Sequence, residues 1–211
     1  MPVLASKSQL LLLCLLSIGN VLASATVITL QNQCGYTVWP GTLSGNGPTL
    51  GDSGFAQPPG GSIQLQAPAG WSGRFWGRTD CSFDGSGTGT CVTGDYPSGA
   101  QFTVAAANAG GMDFYDVSLV NGYNVGMGVR ATGGTGNCQY AGCLADINAD
   151  CPVELRVADG SGRVVACKSA CEQFKTPDAC PKAYSYAYDD ATSTCTCTGA
   201  DYLITFCPGQ S

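Results

Sequence analysis

Histidine is absent from this chain of 211 residues, and charged residues make up only 11% of it. Without histidine, the Ser-His-Asp and Cys-His arrangements of nucleophilic catalysis are missing in their usual form. The commonest nitrogen ligand of zinc is missing too. No metal site and no cofactor are expected. Basic residues are scarce: nine Lys and Arg stand against fifteen Asp and Glu. That balance excludes the basic footprint of a nucleic-acid binder and favours a cationic or a neutral partner such as a polysaccharide. No Asn-x-Ser/Thr sequon occurs, so N-glycosylation is not expected. Long apolar runs are rare as well. The one prominent run, Leu10 to Leu16, follows Lys7 and precedes Ala23-Ser24-Ala25. These are the three regions of a secretory signal, with cleavage expected after Ala25. The run is too short to span a bilayer, and no comparable one follows, so no membrane anchor is expected.

The chain is rich in glycine (30), proline (11) and cysteine (13). Cys14 leaves with the signal. The remaining cysteines fall at 34, 81, 91, 138, 143, 151, 167, 171, 180, 195, 197 and 207. An even number in a secreted chain implies a disulfide framework and an extracellular location. Roughly ten thousand connectivities are compatible with that number, and the residues alone do not choose among them.

Abundant glycine and proline with few charges suit short strands joined by turns. Thr26 to Leu30 and Tyr36 to Trp39 are β-rich, flank Asn32 and Gly35, and read as an opening hairpin. Ser62 to Leu65, Arg74 to Arg78, Phe102 to Ala105, Phe114 to Leu119 and Tyr123 to Val129 read as further strands, and Tyr202 to Phe206 as a last one. Regular short strands with turn signals predict a mainly β fold, a flattened antiparallel β-sandwich. The texture changes after Gly136, where cysteines crowd and apolar periodicity fades. Ala166, Ala170 and Phe174 share one helical face there, which predicts a short helix. The organisation expected is a signal over 1–25, a sandwich core over 26–137 with 198–211, and a small disulfide-rich lobe over 138–197. Gly133-Gly134-Thr135-Gly136 lacks the Lys-Ser/Thr of a phosphate cradle and reads as a loop. Asp146 to Asp150 lacks the glycine and distal glutamate of a calcium loop and reads as a solvated turn. Phe114, Tyr115 and Tyr123 have faces suited to sugar rings, but aromatics in strands are more often core.

Several long motifs resemble the thaumatin-like family of plant pathogenesis-related proteins. They are TVITLQNQCGYTVWPG from Thr26, GRFWGRTDCSFDGSGTGTCVTGD from Gly73, DFYDVSLVNGYNVGM from Asp113, CPVELRV from Cys151, ACKSAC from Ala166, YSYAYDDATST from Tyr184 and YLITFCP from Tyr202. They run in order through nearly the whole mature chain. The resemblance implies a flattened sandwich, a disulfide-rich lobe beside it and a cleft between the two. It also implies the pairs Cys34–Cys207, Cys81–Cys91, Cys138–Cys197, Cys143–Cys180 and Cys151–Cys167. Cys171 and Cys195 lack their family counterparts, so a sixth bond between them is expected.

This chain is a shortened member. After Thr93-Gly94-Asp95 the family pattern carries two cysteines and an acidic segment, and here Tyr96-Pro97 follows directly. The resemblance implies an acidic cleft of one arginine and several carboxylates. The arginine matches Arg74 and the first aspartate Asp113. Asn121 replaces the second aspartate, and the last matches Asp189, beside Asp190. The glutamate falls in the missing segment. A cleft with fewer carboxylates is less able to hold one of them protonated for hydrolysis. The resemblance therefore implies a secreted, monomeric defence protein of the apoplast that binds fungal cell-wall β-1,3-glucan and is antifungal. The alternatives are a weak endo-β-1,3-glucanase using Asp113 and Asp189, and a protein inhibitor of a microbial hydrolase.

Overall fold

The computed structural model describes residues 25–51, 55–84, 88–94, 99–104, 111–168, 183 and 193–209. Thirteen strands lie among them: β1 (Thr26–Asn32), β2 (Trp39–Asn46), β3 (Ser62–Ala67), β4 (Ser72–Arg78), β5 (Ser82–Phe83), β6 (Gly89–Thr90), β7 (Gly99–Thr103), β8 (Met112–Ser118), β9 (Met127–Thr135), β10 (Ala141–Gly142), β11 (Arg156–Ala158), β12 (Val164–Cys167) and β13 (Cys195–Phe206). Period-2 alternation sets their faces. In β1, Ile28, Leu30 and Asn32 point inward, and in β13 so do Tyr202, Ile204 and Phe206.

Nine strands form one curled sheet that branches at β13. Cys195 to Thr198 pair with β8, whereas Tyr202 to Phe206 pair in parallel with β1. Strand β9 lies along the other side of β13 from Thr198 to Phe206. One arm continues β8-β7-β4-β2 and the other β1-β3. Between the arms, the rings of Trp71, Phe75, Phe102, Tyr115 and Tyr202 touch in sequence, with centroids 5.1–6.1 Å apart. Offset and edge-on contacts of this kind add to the burial of the rings themselves. The fold is thus mainly β and consistent with a sandwich, with one parallel pair among antiparallel neighbours.

The expected opening hairpin does not form. Strand β1 is flanked by β3 and β13, and β2 pairs with β4 instead. The reason lies in Asn32, which is fully buried. Its amide donates to Tyr36 O (2.9 Å) and Gln57 O (2.8 Å), and its Oδ1 accepts from Cys34 N (2.9 Å). The turn is therefore tied to the loop around Gln57 rather than closing β1 onto β2. Gly133 to Thr135, expected in a loop, belong to β9 and run beside Thr198 to Ala200. Tyr123 precedes β9 and bridges to Cys167 instead.

In the cysteine-rich region β11 and β12 form a two-stranded sheet. The expected helix begins inside β12, where Ala166 and Cys167 are extended. Lys168 is not helical and donates its N–H to Leu155 O (2.8 Å), and the helix's residues from 169 on lie outside the described residues. Tyr123 and Cys167 exchange backbone hydrogen bonds of 2.8 and 2.7 Å, joining the small sheet to the rest. Four disulfides have both ends among the described residues: Cys34–Cys207, Cys81–Cys91, Cys138–Cys197 and Cys151–Cys167. Cys143 is disulfide-bonded as well, and its expected partner Cys180 lies outside the described residues. Cys195 is buried, with its sulfur donating to Tyr140 O at 3.9 Å, and Cys171 lies outside the described residues.

Candidate functional site

Four strands of the β2-β4-β7-β8 arm place a row of residues side by side. Leu43 pairs with Arg74, Arg74 with Gln101, and Gln101 with Asp116. Register partners share a face, so Arg74 and Asp116 lie on the same side of the sheet, about 10 Å apart across two inter-strand steps. The neighbouring row runs Ser72, Thr103, Phe114 on that same face. Leu43, Ser72, Arg74, Thr103, Phe114 and Asp116 line a groove of about 380 Å³. Its walls are apolar at two points, Leu43 and Phe114, each about half exposed (53% and 45%). Gly73 lines the groove through its backbone; a Cβ there would point to the core side and meet Leu43 O at 2.5 Å and the Trp71 ring at 2.6 Å. The guanidinium of Arg74 makes no ion pair among the described residues. It is left to hydrogen-bond whatever enters the groove.

Asp113 does not join this groove. It lies three residues before Asp116 on β8, so the alternation turns it to the opposite face. There it is 3% exposed and accepts a 2.7 Å hydrogen bond from the Tyr202 hydroxyl. Burial, and next this bond to Asp113, hold the Tyr202 phenol far above its usual range. Asp113 is therefore a core carboxylate positioned by a tyrosine, and Asp116 takes the place beside Arg74. Asn121 is exposed in the turn after β8 and does not line the groove. Asp189 and Asp190 lie outside the described residues. Of the aromatics singled out in the sequence, Tyr115 and Tyr123 are buried, and Phe114 lines the groove. Strand alternation in MDFYDVS was the signal for Asp116: Tyr115 and Val117 point inward, so Asp113 must follow them and Asp116 must not.

A disulfide-stapled, branched β-sheet with a polar groove on its longer arm defines a class of disulfide-rich β-protein. The chain belongs to the Thaumatin family, whose pattern matches residues 32–180 and 176–208. It is 53% identical over 226 residues to pathogenesis-related protein 5 of Arabidopsis thaliana, covering 90% of this chain and 93% of that protein. It is 52% identical to pathogenesis-related thaumatin-like protein 3.5 of Cryptomeria japonica, covering 91% and 94%. A third relative, named glucan endo-1,3-beta-glucosidase, from Prunus avium, is 44% identical over 93% of this chain and 95% of its own.

Proposed function

We propose that this is a plant defence protein of the apoplast that binds a cell-wall β-1,3-glucan of fungi in the Arg74–Asp116 groove. The observation that carries the reading is the groove's chemistry. A guanidinium and a carboxylate on one strand row supply fixed donors and acceptors for sugar hydroxyls, and Phe114 and Leu43 supply apolar faces for the rings. A groove open along its length suits a polymer better than a closed cavity does. The names of the relatives support the same reading, one as pathogenesis-related and another as a glucan-acting enzyme.

Binding is favoured over hydrolysis. Glycoside cleavage needs two carboxyl groups across the scissile bond. Among the described residues, Asp116 is the one carboxylate lining the groove, since Asp113 faces the core. The test is co-sedimentation of the oxidised protein with insoluble β-1,3-glucan, with cellulose as control. Arg74→Ala and Asp116→Ala are each expected to weaken retention about tenfold or more, the scale of a lost hydrogen bond to a charged group. Equal retention of both variants would overturn the site. Reducing-sugar release that disappears in Asp116→Ala would replace binding by catalysis. Failure of the folded protein to sediment with any glucan would redirect the search to a protein partner.

A further inference from the structure

A second concavity lies where the small β11-β12 sheet meets the main sheet, and it shares no lining residue with the groove. Its volume is about 210 Å³. Drug-sized ligands occupy sites of about 300–1,000 Å³, so this one has room for a smaller body, on the scale of one pyranose ring. Six segments distant in sequence build it, contributing Tyr36, Asp80, Tyr123, Asp146, Asn148 and Arg163 among others.

Disulfides stand beside most of these segments. Cys207 lines the pocket and is bonded to Cys34, two residues before Tyr36. Cys81 follows Asp80 and is bonded to Cys91. Cys143 lines the pocket and is itself bonded, and Cys167 closes the strand that carries Val164 and Val165. The walls are therefore held in place before any ligand arrives, which removes part of the ordering cost of binding.

The polar groups are mixed in sign. Arg163 reaches Asp80 at 3.5 Å and Asp159 at 3.1 Å. Asp146 Oδ1 accepts from Asn148 N at 3.1 Å. Asn148 spends its amide on Asn124 O (2.9 Å) and Val165 O (3.4 Å), while its Oδ1 is buried and accepts no hydrogen bond. A buried acceptor without a donor is uncommon in a native protein, and here it belongs to a residue that lines a cavity. Tyr36 is 45% exposed and presents ring and hydroxyl together. An anion would meet Asp80 and Asp146. A cation would meet Arg163, which already occupies Asp80. A neutral polyol, donor and acceptor at once, satisfies both signs, and its ring lies against a phenol.

We propose that the pocket bounded by Tyr36, Asp146, Asn148 and Arg163 binds a single pyranose unit of a neutral glycan, independently of the Arg74–Asp116 groove. Burial first and Asp146 next push the Tyr36 phenol up, which keeps it a hydrogen-bond donor across the working pH range. The two sites would let one molecule hold a polysaccharide at two separate points, and the combined retention would exceed that of either alone.

The test is an amide-shift titration of the oxidised protein by NMR, with laminaritriose and xylotriose as probes. Saturable shifts at Gly126, Asn148 and Val164 are expected with at least one probe, at a dissociation constant on the order of 1 mM, as befits a ligand of few atoms. They should survive Arg74→Ala and weaken about tenfold or more in Tyr36→Ala and in Asp146→Asn. Asparagine at 146 still accepts from Asn148 N, so that variant keeps the loop while changing the charge. Unmoved amides in the remote strand β3 of each variant certify the fold. Shifts confined to the groove strands would overturn this pocket and leave the groove reading intact. Shifts confined to the pocket would do the reverse. Pocket shifts that vanish in Arg74→Ala, or that persist unchanged in both pocket variants, would also overturn the proposal.

Discussion

At the scale of single residues, Asp113 and Asp116 show how one strand separates two roles. Tyr202→Phe removes the 2.7 Å hydroxyl donor to the buried Asp113 carboxyl. It is expected to cost about 1–3 kcal/mol, read as a lower urea midpoint, the scale of a hydrogen bond lost from a buried polar group. Glucan retention should be unchanged, since Tyr202 lies in the core. Loss of retention in that variant would place Asp113 in the site after all. The aspartates of DFYD look equivalent as residue types, and matching a motif by position picked the inward one. The distinction was legible only through the alternation of the whole strand. Arg74 was legible because its strand was. Asn121 and Asp189 stand on turns or outside the described residues, where no periodicity assigns a face. The expected Cys171–Cys195 bond belongs here too: the Cys195 sulfur donates to Tyr140 O, as a thiol does and a disulfide sulfur does not, so the structure does not bear it out, and peptide mapping without reduction should not recover it.

Among the elements, the strands with clear alternation were readable and the pairing partners were not. Strand β1 looked like half of a hairpin because a turn follows it, yet a turn says nothing about who lies beside the strand. Only Asn32, buried and bonded to the loop around Gln57, decides that, and its partners are distant in sequence. The glycine run of β9 misled for a similar reason, since positive φ at Gly133 and Gly134, and close approach at Gly134, require glycine there rather than looseness. At Gly134, with φ of +75°, a Cβ would lie 2.8 Å from Ala200 Cβ and from Cys197 Sγ. Gly134→Ala should therefore cost about 2–4 kcal/mol, combining backbone strain with overpacking. Gly133→Ala, with φ of +71° and open space around it, should cost only the strain, about 1–2 kcal/mol. Equal thermal shifts for the two would refute the crowding account. The β11-β12 turn has its own signature. Asp159 accepts from Ser161 Oγ (2.6 Å), Ser161 N (2.9 Å) and Arg163 N (3.1 Å). The Ser161 hydroxyl bond leads in lowering its carboxyl from 3.8 to about 2. A depressed carboxylate supports the turn fully above its unfolded value and loses that support as pH falls through the folded one. Carboxyl NMR should thus find Asp159 titrating near the lower value, and Ser161→Ala should move it back up.

For the whole molecule, buried phenols set an alkaline limit. Burial is the leading cause that raises Tyr115, Tyr123 and Tyr202 well above the ordinary value of 10.0. Their neutral forms belong to the folded state, so stability is complete below pH about 10 and falls as pH rises toward the folded values. Urea midpoints should drop steeply above that pH, with tyrosine absorbance changing in the same transition. Titration of all the phenols without unfolding would contradict their burial. The disulfide Cys34–Cys207 spans 173 residues. Replacing both by serine is expected to cost about 5 kcal/mol in the chain-entropy view, seen as a lower thermal midpoint under oxidising conditions.

The same bond and the parallel β1–β13 pair have a consequence for the timing of synthesis. Strand β1 is made early among the described strands, and its partner β13 is the last of them to be made. Until then one edge of β1 has no strand to meet, and Cys34 has no native sulfur to join. The central strand of the sheet is thus delivered at the end, and both arms wait for it. Completion of the fold therefore waits for the synthesis of β13. A chain halted just short of β13 would hold nearly all of its residues and remain without the strand that joins its two arms.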